Sequence, residues 1–118
     1  MHRKTEALIN LDAIRNNYSL ASALAPQSKH IAVIKADAYG HGMLRVAEAL
    51  QDVVPAFAVA ILEEALELRA AGISQPILVL EGVNDVQGCE AAAANELSLV
   101  VHSQEQVSQL LGTSSPGN

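Results

Sequence analysis

Four short apolar runs, at residues 31–34, 56–60, 77–80 and 97–101, are each followed by a stretch whose apolar residues recur at helical spacing. No other feature constrains the fold as tightly. Runs of four or five residues rich in β-branched side chains are too short for helices. They are also too continuously apolar to leave one face wet, so they read as strands buried on both faces. A helix between successive strands returns the chain to the starting end of the sheet, which makes the strands parallel and the crossovers right-handed. The expected class is α/β, built of repeated βα units.

The remaining segments fit around these runs. Residues 7–11 alternate enough to suggest an early strand, and Asp12 is placed to cap a helix. Its stripe of Ile14, Tyr18, Leu20 and Leu24 ends before Pro26. After the first run, Met43, Leu44, Val46, Ala47 and Leu50 predict a helix closed by Pro55. Residues 62–71 predict another, stopped by Gly72. Asn84 is the expected cap of a helix reaching Asn95 and softened by Gly88, and Ser103 caps the last one, to residue 111. Residues 112–118 have no periodicity and read as a disordered tail, leaving 1–111 as one folded unit.

Charge and composition remove several classes of function. The net charge is −6 and no Lys/Arg cluster offsets it, which argues against nucleic acid. Half of the 118 residues are apolar, enough for a core, yet no run approaches the ~20 residues of a membrane span. Met1-His2-Arg3-Lys4 is basic but is followed by Thr5-Glu6 instead of an apolar segment, so a secretory leader is not expected and the chain reads as cytoplasmic. Cys89 is the single cysteine, and the histidines at 2, 30, 41 and 102 lack close ligand spacing, so no metal site is expected. Glu63, Glu64 and Glu67 read as a solvated helix face. Gly40-His41-Gly42 lacks the third glycine and the acidic partner of a dinucleotide fingerprint.

The stretch 30–42, His-Ile-Ala-Val-Ile-Lys-Ala-Asp-Ala-Tyr-Gly-His-Gly, carries the chemistry. Lys35 stands where the first buried strand surfaces. A lysine there often marks only the return to solvent. Its neighbours add a second reading. Tyr39 offers a phenolic hydroxyl four residues on, and Gly40 and Gly42 permit backbone N–H groups to approach an anion at the start of the next helix. An amine stripped of solvent can attack a carbonyl carbon, and a phosphate held nearby would position an aldehyde for that attack. The combination points to pyridoxal phosphate.

The run Ala-Val-Ile-Lys-Ala-Asp-Ala-Tyr-Gly-His-Gly at 32–42 resembles the pyridoxal-phosphate attachment motif of bacterial alanine racemases. Residues 9–17 (Ile-Asn-Leu-Asp-Ala-Ile-Arg-Asn-Asn), 58–65, 76–82 and 101–106 are similar to further stretches of that family, so the resemblance spans about residues 6–111. It implies roughly half of a TIM-type (β/α)8 barrel, because an eight-stranded barrel takes ~250 residues and only four barrel strands are legible. It also implies that the chain is the amino-terminal portion of a racemase, truncated and inactive alone, with two open sheet edges. Lys35 would hold the cofactor and exchange a proton on one face of the substrate Cα. Tyr39 would bond its phosphate, and Leu80, at another strand's carboxyl end, would line its ring. His41 would orient the loop. The base for the opposite face, supplied by a partner subunit in the family's homodimer, is not among these residues. Asp37 departs from the asparagine that many relatives carry.

Three readings stay open at this point. One is an isomerase fragment whose intact form interconverts L- and D-alanine for peptidoglycan or for alanine catabolism. Another is a pyridoxal-phosphate carrier barrel without racemase activity, which the Tyr-Gly-His-Gly loop disfavours. The third is a non-functional product.

Overall fold

The computed structural model describes residues 4–112. The four expected strands form: β1 (Ala32–Val33), β2 (Phe57–Val59), β3 (Ile77–Val79) and β4 (Ser98–Leu99). All pairings are parallel, in the order β1-β2-β3-β4. The helices are α1 (Leu11–Leu24), α3 (Met43–Leu50), α4 (Leu62–Ala70), α5 (Val86–Ala94) and α6 (Gln104–Leu111). A single turn, α2 (Lys35–Tyr39), follows β1. The α/β class is therefore as expected, although each strand is shorter than its apolar run.

The core lies on one face of the sheet. Ile34, Phe57, Val59, Ile77 and Val79 point there and meet Met43, Val46, Ala47 and Leu50 of α3 and Ala65 and Leu68 of α4. Those four α3 positions recur at i, i+3, i+4 and i+7, the stripe a helix needs to bury one side. On the other face the alternation brings Val33, Ala58 and Leu78 into one row. Ala58 is buried, but Val33 is 54% exposed. Burial on both faces thus fails at β1, because the helices of the described residues cover one face only and β1 is an edge.

Several local expectations are corrected. Residues 7–10 form no strand among the described residues; Leu8 is 89% exposed and no neighbouring strand offers a ladder. Asn10, not Asp12, caps α1, accepting from Ala13 N–H at 3.0 Å. Of the α1 stripe, Ile14 and Tyr18 pack on the core while Leu20 and Leu24 stay exposed. Asp85, not Asn84, caps α5 through Gly88 N–H at 2.6 Å. Ser103 caps α6 as expected, through Gln106 N–H at 3.1 Å. Gly72 also takes its expected place, at φ +89 after α4. Its N–H donates to Arg69 O and that of Ile73 to Leu68 O, which satisfies the last carbonyls of the helix. Gly88 does more than soften α5: a Cβ there would stand 2.8 Å from Val83 Cβ. The tail expected at 112–118 lies, beyond Gly112, outside the described residues. Among those described, no helix is long and apolar enough to cross a membrane.

Candidate active site at the carboxyl edge of the sheet

Lys35 begins where β1 ends. The register, carried two steps past Val33 on β1 and one step past Val59 on β2 and Val79 on β3, sets Lys35 level with Ala60 and Leu80 at the carboxyl ends of the first three strands. Hydrogen bonds from Leu80 N–H to Val59 O (2.8 Å) and from Glu81 N–H to Ala60 O (3.0 Å) hold that alignment. Lys35 and Leu80 therefore share one edge with a single strand between them. Both are half-buried, and no described residue accepts a hydrogen bond from the Lys35 amine or pairs with its charge.

The backbone after Lys35 does something the sequence did not announce. Ala36, Asp37, Ala38 and Tyr39 lie at φ 52, 55, 50 and 53, so α2 is a left-handed turn of four non-glycine residues. Left-handed helical geometry costs L-residues about 1–2 kcal/mol each and is usually visited one residue at a time. Internal hydrogen bonds close the turn. Ala38 N–H donates to Ile34 O, Gly40 and Gly42 N–H to Asp37 O, and His41 N–H to Ala38 O. The Asp37 carboxylate accepts from Met43 N–H at 2.9 Å and so starts α3. The His41 ring Nδ1 lies 2.8 Å from Ala38 O, which fits an orienting role.

These bonds correct one expectation. The N–H groups of Gly40, His41, Gly42 and Met43 are all spent within the loop, so they do not form an open cradle for a phosphate. What the loop does present is Tyr39. Its side chain is 72% exposed, and its hydroxyl bonds to no other described residue. Tyr39 and His41 border an open apolar cavity of about 280 Å³ together with Ile14, Val33, Val46 and Leu50.

Glu64 is the residue that sequence reasoning misassigned. It is half-buried, not part of a solvated face. Its Oε2 accepts from Ala36 N–H at 2.7 Å, and its Oε1 accepts from Ala60 N–H at 2.8 Å and Ile61 N–H at 3.2 Å. A signal existed: Glu at the third position of a helix commonly reaches back to the N-cap amide. It was masked because the N-cap residue is Ile61, which has no hydroxyl to complete the usual pattern.

On the neighbouring strand ends, Gln106 is almost wholly buried and organises the β3–α5 loop. Its Nε2 donates to Glu81 O at 3.1 Å, and its Oε1 accepts from His102 N–H at 2.8 Å. Among the described residues no group of three or more His, Cys, Asp or Glu is arranged to hold a metal ion.

Residues 9–116 match the family model described as the alanine racemase N-terminal domain. The alanine racemase of Chromohalobacter salexigens is 55% identical over 111 residues, covering 94% of this chain and 30% of that protein. Among solved structures, the biosynthetic alanine racemase of Pseudomonas aeruginosa superposes with a TM-score of 0.85 at 45% identity, over 90% of this chain and 30% of the other. The alanine racemase of Bacillus anthracis with bound L-Ala-P gives a TM-score of 0.78 at 40% identity, over 90% of this chain and 28% of the other. The chain spans about three tenths of the length of the curated relatives it matches.

Proposed function

This chain belongs to the alanine racemase N-terminal domain family, and we propose that it provides the lysine-bearing part of a pyridoxal-phosphate racemase that interconverts L- and D-alanine. The observation that carries this reading is the Lys35 amine. It stands without a partner among the described residues, at the carboxyl edge of a parallel sheet, ahead of a turn whose conformation ordinary residues avoid. Strained backbone of this kind clusters at functional sites.

The available groups fit the cofactor at two points. An unpaired amine suits its aldehyde carbon, and the free Tyr39 hydroxyl suits its phosphate; the loop amides do not contribute. Bound there, pyridoxal phosphate supplies an electron sink for a carbanion at the substrate Cα. Lys35 would hold the cofactor through its amine, and that same amine, once the substrate's own amine has taken its place, would exchange a proton at Cα on its own face. Tyr39 would donate a hydrogen bond to the phosphate, and Leu80 would line the ring. Residues 1–111 form the amino-terminal part of the cofactor-binding barrel. A cytoplasmic homodimer that supplies D-alanine for peptidoglycan or serves alanine catabolism completes the reading. The Tyr39–Gly42 loop and the family match favour it over a carrier barrel.

The test is reductive trapping. Borohydride added with pyridoxal phosphate should label Lys35 and spare Lys4 and Lys29. Equal labelling of the three lysines would reject the assignment.

A further inference from the structure

We propose that Glu64 is a positioning residue: its two carboxylate oxygens set the left-handed turn that leaves Lys35 and carries Tyr39. The proposal rests on the reading of Lys35 given above.

The two oxygens serve different strand ends. Oε2 takes the Ala36 N–H at 2.7 Å, and this amide belongs to the peptide bond that leaves Lys35. Oε1 takes the Ala60 and Ile61 N–H groups, where β2 ends and α4 begins. One side chain thus ties the exit from the lysine strand to the exit from its neighbour. It does so at Ala36, the first residue to enter the left-handed region. Bonds from backbone N–H to a carboxylate are roughly twice as strong as those between neutral groups. That makes them suited to hold a peptide plane that the Ala and Asp residues of the turn would not choose themselves.

This arrangement requires an anion with two acceptors. A glutamine presents one oxygen and one amino group. With its oxygen on Ala60 and Ile61, its amino group would face the Ala36 N–H, donor against donor. An aspartate keeps both oxygens but is one methylene short. Glu63, next to it in α4, is exposed and serves as the control.

The experiment uses the full chain as wild type, Glu64→Gln, Glu64→Asp and Glu63→Gln. Two quantities are read: amide hydrogen exchange at Ala36 without ligand, and the rate of borohydride-trapped pyridoxal phosphate on Lys35 per folded molecule. Glu64→Gln should speed Ala36 exchange about tenfold and slow Lys35 trapping by a similar factor, the cost of one charge-assisted bond. Glu64→Asp should recover part of both, and Glu63→Gln should match the wild type. A merely structural role would lower the unfolding midpoint and leave trapping per folded molecule unchanged. Either readout at its wild-type value in folded Glu64→Gln overturns the proposal. If that variant does not fold, Glu64→Asp decides: faster exchange at Ala36 with slower trapping supports it, and wild-type values overturn it. Absence of trapping in the wild type itself rejects the Lys35 reading instead, and exchange at Ala36 then decides alone whether Glu64 sets the turn.

Discussion

Arg69 Nε donates to the carbonyl oxygen of Asn95 at 2.8 Å, joining the last turn of α4 to the loop that follows α5. The same guanidinium donates to Ile73 O and Gln75 O, both at 2.8 Å, and to Glu96 O at 3.1 Å. Four carbonyls at the amino-terminal side of β3 and β4 therefore depend on one planar group, and it is the planarity that lets it reach all four.

Arg69→Ala should lower stability by about 1–3 kcal/mol in urea unfolding, because four carbonyls, three of them in part-buried bonds, lose their charged donor. Arg69→Lys should recover less than half of that loss, since an ammonium donates from a single point. A loss under ~0.5 kcal/mol for the alanine variant would show that water replaces the guanidinium without cost.

Gly82→Ala should destabilise the β3–α5 loop by more than ~2 kcal/mol. Gly82 has φ +68, and a Cβ there would lie 2.3 Å from Val100 O and 2.9 Å from Gln106 Nε2. The Gln106 amide can yield, but the backbone carbonyl of Val100 cannot. Thermal unfolding of the variant is the measurement, and an unchanged midpoint is the contrary result.

Two glycine substitutions should act in the opposite direction. Ala38 and Glu96 sit at φ 50 and 53, and a glycine at either removes the Cβ penalty of the left-handed region. Each should stabilise the chain by about 0.5–1 kcal/mol after the added freedom of the unfolded state is subtracted. Glu96→Gly should leave Lys35 trapping untouched. Ala38→Gly should slow it, because the turn gains other conformations.

Asp52 makes a two-pronged pair with Arg15, at 2.6 and 3.3 Å, linking α1 to the end of α3. The hydrogen bond from Arg15 lowers the Asp52 carboxyl below its ordinary 3.8, and the same bond raises Arg15. A lowered folded-state value means that the pair stabilises the fold above pH 3.8 and that this stabilisation is lost as pH falls through the lower folded-state value. Asp52→Asn should therefore melt slightly below the wild type at pH 7, with the gap closing in acid and in high salt. A gap that is constant with pH would assign the difference to packing.

The strands were legible because runs such as 56–60 are apolar throughout and flanked by Pro55 and a helix start. The caps were legible only to within a residue or two. Asn10 and Asp12, or Asn84 and Asp85, are equally able to accept from a helix amide, and packing of Ile14 or Gly88 decides between them. The left-handed turn was not legible, since Ala, Asp, Ala and Tyr prefer right-handed backbone and only Gly40 and Gly42 hinted at an unusual loop. Lys35 was singled out from its expected position at a strand end, and that position is the one it takes. Glu64 was missed because the groups it serves are backbone amides, which carry no residue-type signature.

The hub of the loop also determines which substitutions it tolerates. At Asp37 a single side-chain oxygen is used, toward Met43 N–H, while the other bonds run through the main-chain carbonyl. Asparagine offers that one oxygen equally well and, like aspartate, enters the left-handed region more readily than most residues. Asp37→Asn is therefore a geometrically silent exchange. Glu64, which spends both oxygens, has no such neutral substitute. Two acidic residues that bond to the same loop are thus free and frozen respectively.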